Sequence, residues 1–217
     1  MPAYRNYHGW ITLDYDISVK SAKRQAGNID NYQSQELNSA LDYCKNYRTA
    51  IDIGAHIGMI SYQLSKKFKT VESFEIDTDI FECLKQNMQN KITNVNIHNF
   101  GIGDKETSVD IKKTKKTFST HVINNSTGNY KIKTLDQLEI ADIDFIKIDA
   151  EGFEPLIAKG AMQTIQKYKP IILYERKDHP QRYGYQRDSL LDILQPLGYK
   201  MIRKLGRGEK NAVIGVS

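Results

Sequence analysis

Residues 50–61 read AIDIGAHIGMIS, an apolar run that carries one acid and breaks into two glycines four positions apart. The run before Gly54 reads as a short buried strand over residues 49–54, and "MISYQLSKKF" after the glycines reads as a helix. Strand, glycine turn and helix in that order open a doubly wound α/β sheet, which binds ligands at the carboxyl ends of its strands. Asp52 stands beside the turn, so the ligand that suits it decides the function.

Upstream, Leu37, Ala40, Leu41 and Cys44 share one face of a helix over residues 34–46, with Ser34 placed to cap it. Downstream, residues 70–76 form the next strand, followed by a helix over 79–90 that Asp77 or Thr78 can cap. Residues 94–104 read as a third strand ending in a glycine turn. The pattern then changes to short alternating pieces, "TSVDIKK" and "NYKIKTL", joined by the polar "NNSTGN". Residues 105–134 are therefore expected to be a hairpin-like insertion. The βα alternation resumes with a strand over 143–149, a helix from Glu154 to about Lys167 with Pro155 in its first turn, and a strand over 171–175. A helix over 187–198 and two strand-like runs around a Gly-rich turn close the chain. This alternation predicts a mainly parallel sheet covered on both faces, with the Asp52 strand at its centre and an antiparallel edge strand.

The 217 residues suit one large domain, or a domain with a substantial insertion, and 40% hydrophobic with 26% charged residues is ordinary for a soluble enzyme. No run approaches the roughly 18 apolar residues of a membrane span, and residues 1–16 lack the apolar core of a signal peptide. A cytoplasmic protein is expected. Cys44 and Cys83 are far apart without metal-ligand spacing, which predicts two reduced, half-buried thiols and no metal. Sequons at Asn124 and Asn125 read as polar loop. The net charge of +5 permits an anionic partner without indicating one.

Two cofactor classes compete for the turn. A dinucleotide site would show G-x-G-x-x-G, whose second glycine admits the pyrophosphate. Here that position is His56, and Asp52 would repel phosphate at short range. S-adenosylmethionine reverses both arguments, because it has no phosphate and carries a sulfonium and an ammonium. Gly54, Ala55 and Gly58 would let its methionine half and ribose lie against the backbone. The second strand ends in Glu75, an acid able to accept hydrogen bonds from both ribose hydroxyls. A plain strand–turn–helix with an incidental acid competes with this reading, and a second acid at the next strand end weighs against it.

The segments DIGAHIG, SFEIDTDIFECLKQNM, NFGIGD, IKTLDQL, DFIKIDAEGFEPLIAKGA and PIILYE together resemble the FkbM-type methyltransferases, which are S-adenosylmethionine-dependent enzymes. The similarity runs from Gln33 to Glu175. It implies an α/β class I methyltransferase Rossmann-like fold: a seven-stranded, mainly parallel sheet with an antiparallel last strand. Residues 1–217 would form a single methyltransferase domain, with 1–33 as an N-terminal extension. The resemblance places Asp52, Gly54 and Gly58 at the cofactor turn, with His56 where many relatives carry Asn. It puts Glu75 and the adjoining Ile76 at the ribose, and Phe100, Gly101 and Ile102 around the adenine. Asp149 would face the methionine end and the reacting centre.

A hydroxyl acceptor must lose a proton, which calls for a base. The candidates near strand ends are Asp149, Glu151, Glu175 and His179. Glu151 also reads as an acid favoured by a helix N-terminus, and His179 as an ordinary loop histidine. The fourth strand does not end in Asn-Pro-Pro-aromatic, and there is no Pro-Cys pair, so amine methylation of a base and cytosine-carbon methylation are disfavoured. Methylation of a hydroxyl on a sugar, glycan or other small molecule is the main expectation. A methyltransferase acting on nucleic acid or protein stays open, with the lysine run at 112–116 as a contact patch or a solvated hairpin edge. A cofactor-binding module without catalysis is the third reading, opposed by intact Asp52, Glu75 and Asp149. Neither the acceptor's identity nor the oligomeric state is legible.

Overall fold

The computed structural model of the protein describes residues 2–89, 92–114, 119–123 and 128–216. The chain opens with β1 (Tyr4–Tyr7) and β2 (Trp10–Leu13), an antiparallel hairpin turned at His8 and Gly9, followed by α1 (Ser18–Ala26). This extension is docked through buried Asn87. The Asn87 amide accepts from Ile11 N at 2.7 Å and donates to Ile11 O and Ile57 O at 2.9 Å each. Trp10 is buried and its indole donates to Asp30 at 2.8 Å.

The next elements are α2 (Ser34–Leu41), β3 (Thr49–Ile53), α3 (Met59–Ser65), β4 (Thr70–Phe74), α4 (Thr78–Gln89) and β5 (Val95–His98). Ser34 does not cap α2: the capping position is Gln33, with φ at 50° and no side-chain cap bond. Asp77 does cap α4, accepting from Asp79 N at 3.0 Å. The expected strand over 94–104 is divided. Asn99 donates to Glu75 O at 3.0 Å and turns the chain, so that β6 (Gly101–Ile102) leaves the main sheet. It joins β7 (Thr107–Thr114), β8 (Ser119–Ile123) and β9 (Tyr130–Lys133) in a small sheet ordered β6-β9-β7-β8. The insertion is therefore more than a hairpin. The sequons at Asn124 and Asn125, and Lys115 and Lys116 of the lysine run, lie outside the described residues.

Then come β10 (Ile143–Ile148), α5 (Glu154–Lys159), α6 (Met162–Tyr168), β11 (Ile171–Glu175), α7 (Ser189–Leu194), β12 (Tyr199–Leu205) and β13 (Asn211–Val216). The single helix expected over 154–167 breaks at Gly160, whose backbone presses on Gly103: an added Cβ would sit 1.8 Å from Gly103 O. The main sheet has seven strands in the order β12-β13-β11-β10-β3-β4-β5. Neighbours from β11 to β5 pair in parallel, whereas β13 runs antiparallel to both β11 and β12. The middle strand is thus β10, and the Asp52 strand β3 is its neighbour rather than the centre; the reversed strand β13 lies between β12 and β11 rather than at the expected edge.

Alternation along the strands feeds a core on each face. Ile51, Ile53, Ile146 and Ile148 pack on one side with Ile157, Ile165 and Leu194. Ala50 and Phe145 point the other way, onto Leu37, Leu41 and Leu64. Cys44 is half-buried beyond α2, and Cys83 is fully buried; burial pushes both thiols up to about 12. Among the described residues, no helix is long and apolar enough to cross a membrane.

Candidate functional site

The carboxyl ends of β3, β4, β10 and β11 open into a cleft of about 960 Å³. Ser18, Ser21 and Arg24 of α1 line one side, and Thr120 and Val122 of β8 another, so both the extension and the insertion contribute walls. Of the residues expected at the site, Asp52, Gly54, Ala55, His56, Glu75, Ile76, Gly101, Ile102, Asp149, Glu151 and Glu175 line this cleft. Gly58, Phe100 and His179 do not line it. Phe100 packs beside Phe74 with ring centroids 5.5 Å apart, under the ammonium of Lys133.

Packing by itself already requires both glycines. Gly54 has φ +80°, and a Cβ there would lie 1.9 Å from Asp149 O. Gly58 has φ +95°, and its Cβ would strike the side chains of Met88 and Leu84 at 2.6 and 2.8 Å. Their absence of side chains lets the β3 turn touch the loop after β10 on one side and α4 on the other.

Asp52 is fully buried. Its Oδ2 accepts from Ser61 Oγ at 2.6 Å, while Oδ1 is buried with no hydrogen-bond partner. Burial raises its carboxyl above the usual range, against the pull of Lys147 and Ser61. Glu75 closes the other side of the turn. Its oxygens accept from His56 N at 2.9 Å and Asp77 N at 2.8 Å, which fixes the side chain across the strand end. Each oxygen keeps a second lone pair for a ligand hydroxyl. Burial raises this carboxyl as well.

Lys147 was missed by the sequence reading, although a lysine inside the apolar run IDFIKI is itself a signal. It is 4% exposed, lines the cleft, and meets Asp149 at 2.8 Å. Burial works to raise the Asp149 carboxyl, but Lys147 more than offsets it and holds the group below the usual carboxylate range. Asp149 is thus a stable anion.

The turn after β10 brings three of the four base candidates into one cluster with a neighbouring loop. Glu154 Oε1 accepts from Ala150 N and Gly152 N, both at 3.1 Å, and burial pushes its carboxyl up to about 7. Gly152, at φ +108°, lets the turn lie on the His179 backbone, where a Cβ would come within 2.6 Å. Glu151 Oε2 then stands 3.0 Å from His179 Nδ1, and Glu175 Oε2 stands 3.5 Å from the same nitrogen. Lys177, also unforeseen, pairs with Glu175 Oε1. The contact with Glu175 raises the His179 imidazole above its ordinary value. Burial, then Glu175 and Asp149, raises the Glu151 carboxyl. Asp149 stands apart from this cluster, on Lys147.

A family model described as the methyltransferase FkbM domain matches residues 52–201. A comparison with curated proteins finds no match. Among solved structures, methyltransferase FkbM from Methylobacillus flagellatus KT superposes with a TM-score of 0.53 at 16% identity, over 94% of this chain and 55% of that one. This chain therefore spans little more than half the length of that relative. N-methyltransferase NodS from Bradyrhizobium japonicum WM9, in complex with S-adenosyl-L-homocysteine, gives 0.51 at 11% identity over 92% and 97%. A Streptococcus mutans protein, also in complex with S-adenosylhomocysteine, gives 0.53 at 12% identity over 84% and 96%. At these identities the likeness is one of fold.

Proposed function

Because the chain belongs to the FkbM methyltransferase family, we propose that it methylates a hydroxyl oxygen of a sugar, glycan or other small molecule, using S-adenosylmethionine. One observation carries the reading: two strand-end carboxylates, Asp52 and Glu75, share a cleft with Glu151 and Glu175, which in turn meet the His179 imidazole. When bound, S-adenosylmethionine supplies an electrophilic methyl group. Asp52 Oδ1, buried and lacking a partner, suits a donor on that molecule, and Glu75 suits its ribose hydroxyls. Ile76, Gly101 and Ile102 offer the apolar wall for the base. Asp149 and Lys147 fix the charge at the methionine end. The acceptor lies toward Glu151, whose cluster takes the hydroxyl proton. The class I methyltransferase arrangement, one catalytic unit with residues 1–33 and 105–134 as cleft walls, belongs to the same reading.

Nucleic acid as acceptor is the weaker alternative. Lys113, within the lysine run, is committed to Asp77 at 2.7 Å and Asp79 at 2.6 Å, which ties β7 to the start of α4. The test has two parts. Calorimetric titration with S-adenosylhomocysteine should show binding that weakens about 10- to 150-fold in Glu75→Ala, as loss of a charged acceptor worth roughly 1.5–3 kcal/mol requires. Methyl-labelled cofactor with a panel of hydroxylated acceptors should then place label on oxygen. Unchanged affinity in the variant, or label only on nitrogen or carbon, would refute the corresponding part.

A further inference from the structure

The three groups that converge opposite the cofactor turn have a donor set and spacing of their own. Glu151, Glu175 and His179 each offer one ligand atom, and these three atoms lie within 4.8 Å of one another. His179 Nδ1 stands 3.0 Å from Glu151 Oε2 and 3.5 Å from Glu175 Oε2. A cation about 2.1 Å from each of two ligands places them about 3.0 Å apart at a right angle and about 3.4 Å apart at the tetrahedral angle. The observed pairs fall at these separations.

A second observation points into the same space. The Glu175 side chain is 10% exposed, and its Oε2 is buried with no hydrogen-bond partner, as is His179 Nδ1. The pairing leaves Glu151 on the imidazole: Lys147 is paired with Asp149 and Lys177 with Glu175 Oε1, whereas Glu151 meets His179.

We propose that Glu151, Glu175 and His179 bind one divalent transition-metal cation of the Mn2+ class, with open positions toward the cleft for an oxygen of the acceptor. Two carboxylates with one imidazole suit such an ion better than a soft thiolate-seeking one. Held there, the cation acts as a template that fixes the acceptor oxygen on the Asp149 side of the cleft. The backbone supports the arrangement: Gly152 seats the Glu151 turn against His179, and Arg182 donates to Glu151 O at 3.1 Å. The Lys177 ammonium opposes binding, and its contact is with the other oxygen of Glu175. The proposal rests on the methyltransferase reading only for the ion's role, since binding itself is tested without turnover.

The experiment uses the full chain, stripped of metal, titrated with Mn2+ and followed by loss of the free-ion electron paramagnetic resonance signal. One Mn2+ per chain is expected, with at least about tenfold weaker binding in Glu175→Gln and in His179→Asn. Both variants should keep wild-type affinity for S-adenosylhomocysteine, which also shows that they are folded. Should a variant not fold, spin-echo modulation from a bonded imidazole nitrogen in the wild type carries the test. No Mn2+ binding, binding undiminished in both variants, or bound Mn2+ without the nitrogen signal would each overturn the proposal. Failure of the wild type to bind S-adenosylhomocysteine would instead strike the methyltransferase reading, whatever the Mn2+ result.

Discussion

Replacing Lys147 by Met removes the cation that the inner end of the cleft is built around, at nearly constant volume. Lys147 is 4% exposed, bonds Asp149 at 2.8 Å, and acts electrostatically on buried Asp52. Breaking a buried pair by removing one partner leaves an uncompensated charge and costs roughly 3–5 kcal/mol. With a urea slope of roughly 2 kcal/mol per molar, the midpoint should fall by about 1.5–2.5 M at pH 7.5. The loss should depend on pH in a defined direction. In the wild type the Asp149 carboxyl is held low by Lys147. Its stabilisation is therefore present above the unfolded value of about 3.9 and is lost as pH falls through the lower folded value. In the variant burial is opposed only by the weaker pull of Lys177 and His56 on Asp149 and of Ser61 on Asp52, so both carboxyls rise. A carboxyl raised by folding destabilises above its folded value and ceases to do so as it protonates. The deficit should be greatest at pH 7.5 and shrink toward pH 5. Urea melts of both proteins at the two pH values measure it. A deficit below about 1 kcal/mol, the scale of an exposed ion pair, or one that does not change with pH, would refute a pair that rests on a buried Lys147.

Two other substitutions probe different parts of the site. Gly54→Ala forces a side chain into the left-handed region and to 1.9 Å from Asp149 O; thermal or urea melts should show a loss of at least about 3 kcal/mol, and a near-neutral result would mean that the two loops are not in contact. Glu151→Gln should lower methyl transfer by roughly 10²–10⁴ on the true acceptor with S-adenosylhomocysteine affinity unchanged, and near-normal turnover would remove Glu151 from the acceptor chemistry.

Much of the site was legible because strand ends are legible. Apolar runs bounded by acids and glycines located Asp52, Glu75 and Asp149 at successive turns, and all three line one cleft. The same local rules misjudged elements whose limits depend on distant contacts. Residues 94–104 read as one strand ending in a glycine turn, but Asn99 bonding back to Glu75 O diverts the second half into another sheet. The helix after Pro155 had no internal stop signal beyond a glycine, and it breaks where Gly160 meets Gly103.

Sequence by itself determined the βα alternation and the presence of a reversed strand near the end, because periodicity and turn chemistry act over a few residues; the family was legible from the motifs that resemble it. Only the tertiary structure decided what the conspicuous residues do. Gly54 and Gly58 were read as room for a ligand, and the packing of neighbouring segments requires them as well. Asp149 was one of four base candidates, and Lys147 two residues earlier holds its carboxyl below the usual range. Glu151, Glu175 and His179 were separate candidates on one strand end and two loops. They become a single cluster because Gly152 lets one loop lie on the backbone of another. That distance is set by packing between segments, a quantity no local pattern encodes.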